Sequence, residues 1–143
     1  MGKITGIAHI AITVQDMEKS LDFYTRALGF TKAFEIPEPE TGKPWINYLY
    51  IGNGQFIELF YDGIRDNPWS EDLRGFNHLC LQVDDIHAVV EALKKAGVEI
   101  TDGPKQGCDY NWQAWIKDPD GVRIELMQID PKSPHHKAME ELR

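Results

Sequence analysis

The chain has 143 residues, 42% of them hydrophobic and 27% charged, a balance that supports a buried core and argues against long disorder. Its formal net charge is −8, with Lys and Arg scattered singly or in pairs, so it lacks the clustered basic face that sequence-independent nucleic-acid binding needs. The longest apolar run, around residues 7–14, is too short for a membrane span, and the start lacks the apolar core of a signal peptide. Cys80 and Cys108 make neither a disulfide framework nor a zinc ribbon, so a reducing, cytoplasmic setting is expected.

In chain order, the first expected strand alternates through His9 and ends at Val14; Asp16 then stands where a helix N-cap belongs. Met17, Leu21, Tyr24 and Leu28 are spaced for one helical face, and Gly29 follows, as suits a helix end. Residues 45–51 and 55–61 read as strands around Gly52, Asn53 and Gly54, a strong hairpin signal. Residues 63–74, with Pro68 and Trp69, read as a linker.

The pattern then repeats. A strand carries His78, ends at Val83 and meets Asp85; Ile86, Val89, Val90, Leu93 and Ala96 follow on one helical face before Gly97. Residues 111–117 and 122–129 flank Asp118, Pro119, Asp120 and Gly121, which suit a tight turn. Each half closes on a nearly identical phrase around Glu58 or Glu125, and the His-to-Glu separations are 49 and 47 residues. The expectation is an α+β chain of two β-α-β-β-β modules, about 4–62 and about 75–130. Residues 131–143 are expected to form a loop and a short terminal helix.

Side chains alternate across a strand, so residues i and i+2 share a face. Ala8, Ile10, Ile12 and Val14 form the set suited to pack under a helix; His9 takes the other face. Leu79, Leu81 and Val83 do the same in the second half and leave His78 opposite. Glu58 and Glu125 likewise alternate with apolar neighbours. A carboxylate on a half-buried strand costs several kcal/mol unless paired or coordinated. A symmetric set of two His and two Glu removes that cost by holding one divalent metal ion. Imidazole and carboxylate donors suit Ni²⁺, Co²⁺, Zn²⁺, Mn²⁺ or Fe²⁺ and leave octahedral positions for water or substrate.

At this point the chain resembles the vicinal oxygen chelate superfamily. The resemblance rests on His9, on Asp22, Phe23 and Tyr24 with Leu28, Gly29 and Phe30, on Glu58 and His78, and on the Asp118–Gly121 turn leading to Glu125. It implies a single domain over 1–143, with the modules forming a cupped eight-stranded mixed sheet, helices outside, often completed by a homodimer. The His-Glu-His-Glu set is similar to that of metal-dependent glyoxalase I. The implied chemistry is a lyase or isomerase in which the metal polarises a substrate oxygen and a carboxylate moves the adjacent proton, with Glu125 as catalytic base and Glu58 as its symmetric partner.

The chain departs from the glutathione-using members, which carry Arg where Thr13 stands and Asn where Asp62 stands. Two substrate classes therefore stay open, a glutathione adduct and another α-hydroxy or α-keto compound. Thr13, Phe56, Phe60, Cys80, Trp112 and Arg123 are the candidate pocket residues. Two other functions remain compatible: a metal-dependent epimerase, whose family members typically carry Gln at Glu58, and a non-enzymatic protein that traps an apolar small molecule such as an antibiotic. His135 and His136 lie in a polar tail and read as solvated; His87 reads as surface.

Overall fold

The computed structural model describes residues 2–143. Among these the first half forms β1 (His9–Thr13), α1 (Met17–Asp22), β2 (Thr31–Pro37), β3 (Pro44–Gly52) and β4 (Gln55–Phe60). The second half forms β5 (Leu79–Gln82), α2 (Ile86–Lys95), β6 (Asp102–Gln106), β7 (Trp112–Lys117) and β8 (Arg123–Gln128), and the tail holds α3 (Pro134–Glu141). The strands hydrogen-bond as two four-stranded ladders, β1-β4-β3-β2 and β5-β8-β7-β6. In each, the first pair is parallel and the others antiparallel. The chain divides into two compact units, one ending at Asp66 and one running from Asn67 to Arg143. The expected linker is thus shared, with Trp69 in the second unit.

Local chemistry explains the elements. Asp16 accepts the Lys19 N–H at 3.1 Å and Asp85 accepts that of Ala88 at 3.0 Å, so each helix starts on the expected cap. Asn53 and Gly54 have φ of 53° and 74°, the paired positive values of a type I′ turn between β3 and β4. Between β7 and β8, Asp118 accepts the N–H groups of Asp120 at 2.9 Å and Val122 at 2.8 Å, tying the turn to its own carboxylate.

The first helix departs from expectation. After Asp22 it widens into a π-turn over Phe23–Ala27, with the Leu28 N–H reaching the Phe23 carbonyl at 3.0 Å. The Thr25 hydroxyl takes the Leu21 carbonyl at 2.6 Å, the acceptor that a regular α-turn would offer the Thr25 N–H. The widening rotates the buried face: Met17, Ser20, Phe23 and Tyr24 are buried, while Leu21 and Leu28 are partly exposed.

The cores fix the strand registers. In the first unit Ile12, Val14, Leu49, Ile57 and Leu59 are buried; in the second, Leu79, Ala114, Ile116, Ile124 and Leu126 join Ile86, Val90 and Leu93 of α2. A one-residue slip of β4 would exchange Ile57 and Leu59 with the face of Glu58. Each fully buried aliphatic side chain is worth about 1.5–3 kcal/mol, so the slip is strongly disfavoured and the apolar residues aim the carboxylate.

Candidate functional site

In the first unit the face opposite the core carries His9, Ala11 and Thr13 of β1 with Phe56, Glu58 and Phe60 of β4. The register sets Ala11 and Tyr48 on either side of Glu58. His9 Nε2 lies 3.1 Å from Glu58 Oε2. The Tyr48 ring meets His9 edge-on at 6.1 Å, and its hydroxyl donates to Glu58. That hydrogen bond, reinforced by burial and by the carboxylate's charge, raises the Tyr48 pKa above the ordinary phenol value.

The second unit repeats the arrangement with different neighbours. Cys80 and Trp115 flank Glu125 in the ladder. His78 lies one residue before β5 begins, with Nε2 2.8 Å from Glu125 Oε2 and its ring edge-on to Trp115 at 4.7 Å. Burial first, then the Glu125 charge and a hydrogen bond to it, push the Cys80 thiol up to about 12. Glu58 and Glu125 are only 6% and 7% exposed, so each unit buries a carboxylate against one imidazole.

The proton positions at His78 follow from its neighbours. Arg123 Nη1 donates to Asn77 Oδ1 at 3.1 Å and to the Asn77 carbonyl at 3.3 Å. Guanidinium only donates, so the amide oxygen, not its NH₂, faces Arg123. The same oxygen lies 2.6 Å from His78 Nδ1, which must therefore carry a proton. In the neutral ring Nε2 is then a bare lone pair facing a carboxylate oxygen, and two acceptors at that distance require a cation, either a ring proton or a metal ion.

The donor set fits a metal on these grounds. Two donors bonded to one ion at about 2.1 Å and at right angles lie about 3.0 Å apart, close to the separations in both pairs. Among the described residues, however, no group of three or more His, Cys, Asp or Glu gathers as a ready site; each unit brings one pair.

Of the other expected pocket residues, Thr13, Phe56 and Phe60 share the face of Glu58, and Cys80 and Arg123 share that of Glu125. The Arg123 guanidinium sits over Trp69, 3.6 Å from the ring centroid, and over Trp115 at 4.8 Å. Trp112 is a correction. It pairs with Gln128 and its ring meets His87 of α2 at 5.1 Å, so it serves the helix side of the sheet and not the face of Glu125. A cavity in the second unit is instead lined by Thr101, Asp102, Trp115, Ile116, Lys117 and Arg123. In the tail, the His136 ring pairs with Glu140 at 3.4 Å and its backbone N–H donates to the Ser133 hydroxyl at 3.0 Å.

Sequence reasoning missed Tyr48 and Asn77. Counting back from the hairpin would nearly find Tyr48, but an irregularity between Tyr50 and Gly52 shifts the pairing. Asn77 directly precedes His78 and carries no periodic signal.

Two β-α-β-β-β units, each placing a His–Glu pair on the face away from its core, define a duplicated α+β scaffold. The model of the Glyoxalase/Bleomycin resistance protein/Dioxygenase superfamily matches residues 6–126, and the chain belongs to that superfamily. It is 36% identical over 130 residues to a probable lactoylglutathione lyase of Vibrio parahaemolyticus, covering 85% of this chain and 89% of that protein. It is 34% identical over 128 residues to the mitochondrial methylmalonyl-CoA epimerase of Homo sapiens, covering 84% and 72%. Among solved structures it is similar to TnmS3, an antibiotic-binding protein from Streptomyces sp. CB03234, with a TM-score of 0.69, 29% identity, and coverage of 91% and 100%.

Proposed function

We propose that the chain is a glyoxalase I-like, metal-dependent lyase or isomerase that moves a proton on the carbon beside a substrate oxygen. The observation that carries this reading is the repeated pair of a buried carboxylate and an imidazole nitrogen, at 3.1 Å in one unit and 2.8 Å in the other. His9, Glu58, His78 and Glu125 hold one divalent ion, Ni²⁺, Co²⁺, Zn²⁺, Mn²⁺ or Fe²⁺, in one chain or across a homodimer. Bound there, the ion supplies Lewis-acid polarisation of the substrate oxygen.

The protein's own part is asymmetric. In the first unit Tyr48 flanks Glu58 across the ladder and its ring meets His9 edge-on. In the second unit Cys80 and Trp115 flank Glu125 instead. Glu125 is the base: its carboxylate takes the proton from carbon and returns it to the neighbouring carbon, with Glu58 as its symmetric partner. Thr13 and Asp62 replace the residues that hold glutathione in glutathione-using members, so the substrate is another small α-hydroxy or α-keto compound, handled in the cytoplasm. Epimerisation is the second reading, favoured by a carboxylate in each unit, since epimerisation needs an acid and a base on opposite sides of one carbon.

The test is solvent-deuterium exchange with a panel of α-hydroxy thioesters and hemithioacetals of 2-oxoaldehydes. Glu125→Gln is expected to abolish exchange while Glu58→Gln leaves a residue of it. Wild-type turnover by Glu125→Gln sinks the mechanism. Tight ligand binding indifferent to chelators, with no exchange, moves the protein to the binding class.

A further inference from the structure

We propose that Arg123 and Asn77 are positioning residues that dictate which nitrogen of His78 is free for the ion, so that the second unit is the pre-set half of the site. The inference rests on the reading of His78 as a ligand, and it is carried by a chain of contacts inside one unit. Trp69 and Trp115 hold the Arg123 guanidinium between them. Such cation–π contacts fix the planar fork in place. Arg123 then donates to Asn77 Oδ1 at 3.1 Å, and that oxygen accepts from His78 Nδ1 at 2.6 Å. Nε2 is left to face Glu125 at 2.8 Å.

Each link decides the next because the groups differ in what they can offer. An asparagine amide can turn either its oxygen or its NH₂ toward a histidine. Without Arg123 both orientations are open, and the NH₂ orientation would put the neutral-ring proton on Nε2, where it blocks coordination. With Arg123 in place only the oxygen orientation avoids a donor facing a donor. The linker is thereby drawn into the site, since Trp69 supplies one wall of the clamp.

The first unit has no such relay. Ala8 stands where Asn77 does, and Phe56 stands two residues before Glu58 as Arg123 stands two before Glu125. Among the described residues no hydrogen-bond partner holds His9 Nδ1, and the His9 side chain is 42% exposed against 28% for His78. The two otherwise matched pairs thus differ in how firmly the imidazole is set, and the ion is expected to dock first on His78 and Glu125.

The experiment is long-range ¹H–¹⁵N correlation of histidine rings in ¹⁵N-labelled, metal-free protein, with His78 assigned by His78→Gln, and Zn²⁺ affinity measured in parallel by chelator competition. In metal-free wild type the ring carries a second proton on Nε2, shared with Glu125; in spectra taken at a pH alkaline enough to remove that proton, the neutral His78 ring is expected to keep the one on Nδ1. Arg123→Leu is expected to populate the Nε2-protonated form and to weaken Zn²⁺ binding about 10- to 100-fold, the usual cost of losing an outer partner of a metal-bound histidine. Adding Asn77→Asp to Arg123→Leu is expected to restore both, because a carboxylate has no donor face to turn. Asn77→Ala keeps the Arg123 clamp and should lose the tautomer preference alone, which covers the case of a poorly folded Arg123→Leu.

An unchanged His78 tautomer in both Arg123→Leu and Asn77→Ala overturns the relay, whatever their metal affinity. Loss without rescue by Asn77→Asp also overturns it, because Arg123 would then act only through packing. A tautomer that shifts and is rescued in a protein that binds no Zn²⁺ upholds the relay and refutes the reading of His78 as a ligand.

Discussion

Replacing Glu125 by Gln is expected to make the metal-free protein more stable while removing its activity. Glu125 is 7% exposed and meets one cationisable partner, His78, across 2.8 Å. Burying a carboxylate costs several kcal/mol, which a single imidazole only partly offsets. Gln has nearly the same shape, carries no charge, and can donate its NH₂ to the bare Nε2 that the Asn77 contact leaves. Replacing a fully buried ion pair by neutral residues often gains 1–4 kcal/mol; because His78 keeps 28% of its side chain in solvent, the gain here belongs at the low end, about 1 kcal/mol. For a chain of this size that raises Tm by about 3 °C. The opposite change, His78→Ala, strands the carboxylate and is expected to cost about 2 kcal/mol, below the fully buried range for the same reason of exposure. The assay is calorimetry or urea unfolding in excess chelator, with the double variant closing the cycle. In the Glu125→Gln background, His78→Ala should cost clearly less than in wild type. A fall in Tm on Glu125→Gln, or an unaltered cost of His78→Ala in that background, refutes the reasoning that the pair is frustrated without its metal.

Two further outcomes follow from the same structure. Asp118→Ala removes the acceptor for two backbone N–H groups in a side chain only 5% exposed, and should cost about 1–3 kcal/mol in urea unfolding; an unchanged midpoint would show that the β7–β8 turn forms without its carboxylate. Both cysteines are exposed, so in metal-free protein iodoacetamide at pH 8 should label Cys108 faster than Cys80 only because the Cys80 thiol is pushed up to about 12. Raising a thiol pKa lowers its reactive thiolate fraction at fixed pH, so Glu125→Gln, which removes the neighbouring charge, should speed labelling of Cys80. Mass spectrometry reads both, and equal rates at the two cysteines in wild type would contradict the shift.

The duplicated architecture and the pairs His9–Glu58 and His78–Glu125 were legible because they rest on alternation, which survives in the sequence as period two. The helix starts were legible for a similar reason, since Asp16 and Asp85 act on backbone only three residues away. Other features depend on contacts that the local sequence does not encode. Trp112 and Trp115 are three residues apart and so lie on opposite faces; only the β7–β8 register, Trp115 opposite Glu125, tells which is which. The π-turn at Phe23–Ala27 is a slip of one hydrogen bond with no compositional mark. The edge strand β6 reads Asp102, Gly103, Pro104, Lys105 and Gln106, a turn-like string tolerated as a strand only because an edge leaves one side unpaired. The clamp on Arg123 joins Trp69, Asn77 and Trp115, residues from a linker, a strand approach and a central strand, and emerges only once the fold brings them together.

The central claim is that the two pairs serve one ion, and calorimetric titration of metal-free protein with Zn²⁺ or Ni²⁺ tests it most directly, in wild type and in His9→Gln and His78→Gln. The account predicts one ion per chain, with binding sharply weakened in each variant because each removes a ligand of the same ion. Two ions per chain, each lost in only one variant, would make the pairs separate sites, and undiminished binding in both variants would place the metal elsewhere; either result contradicts the account.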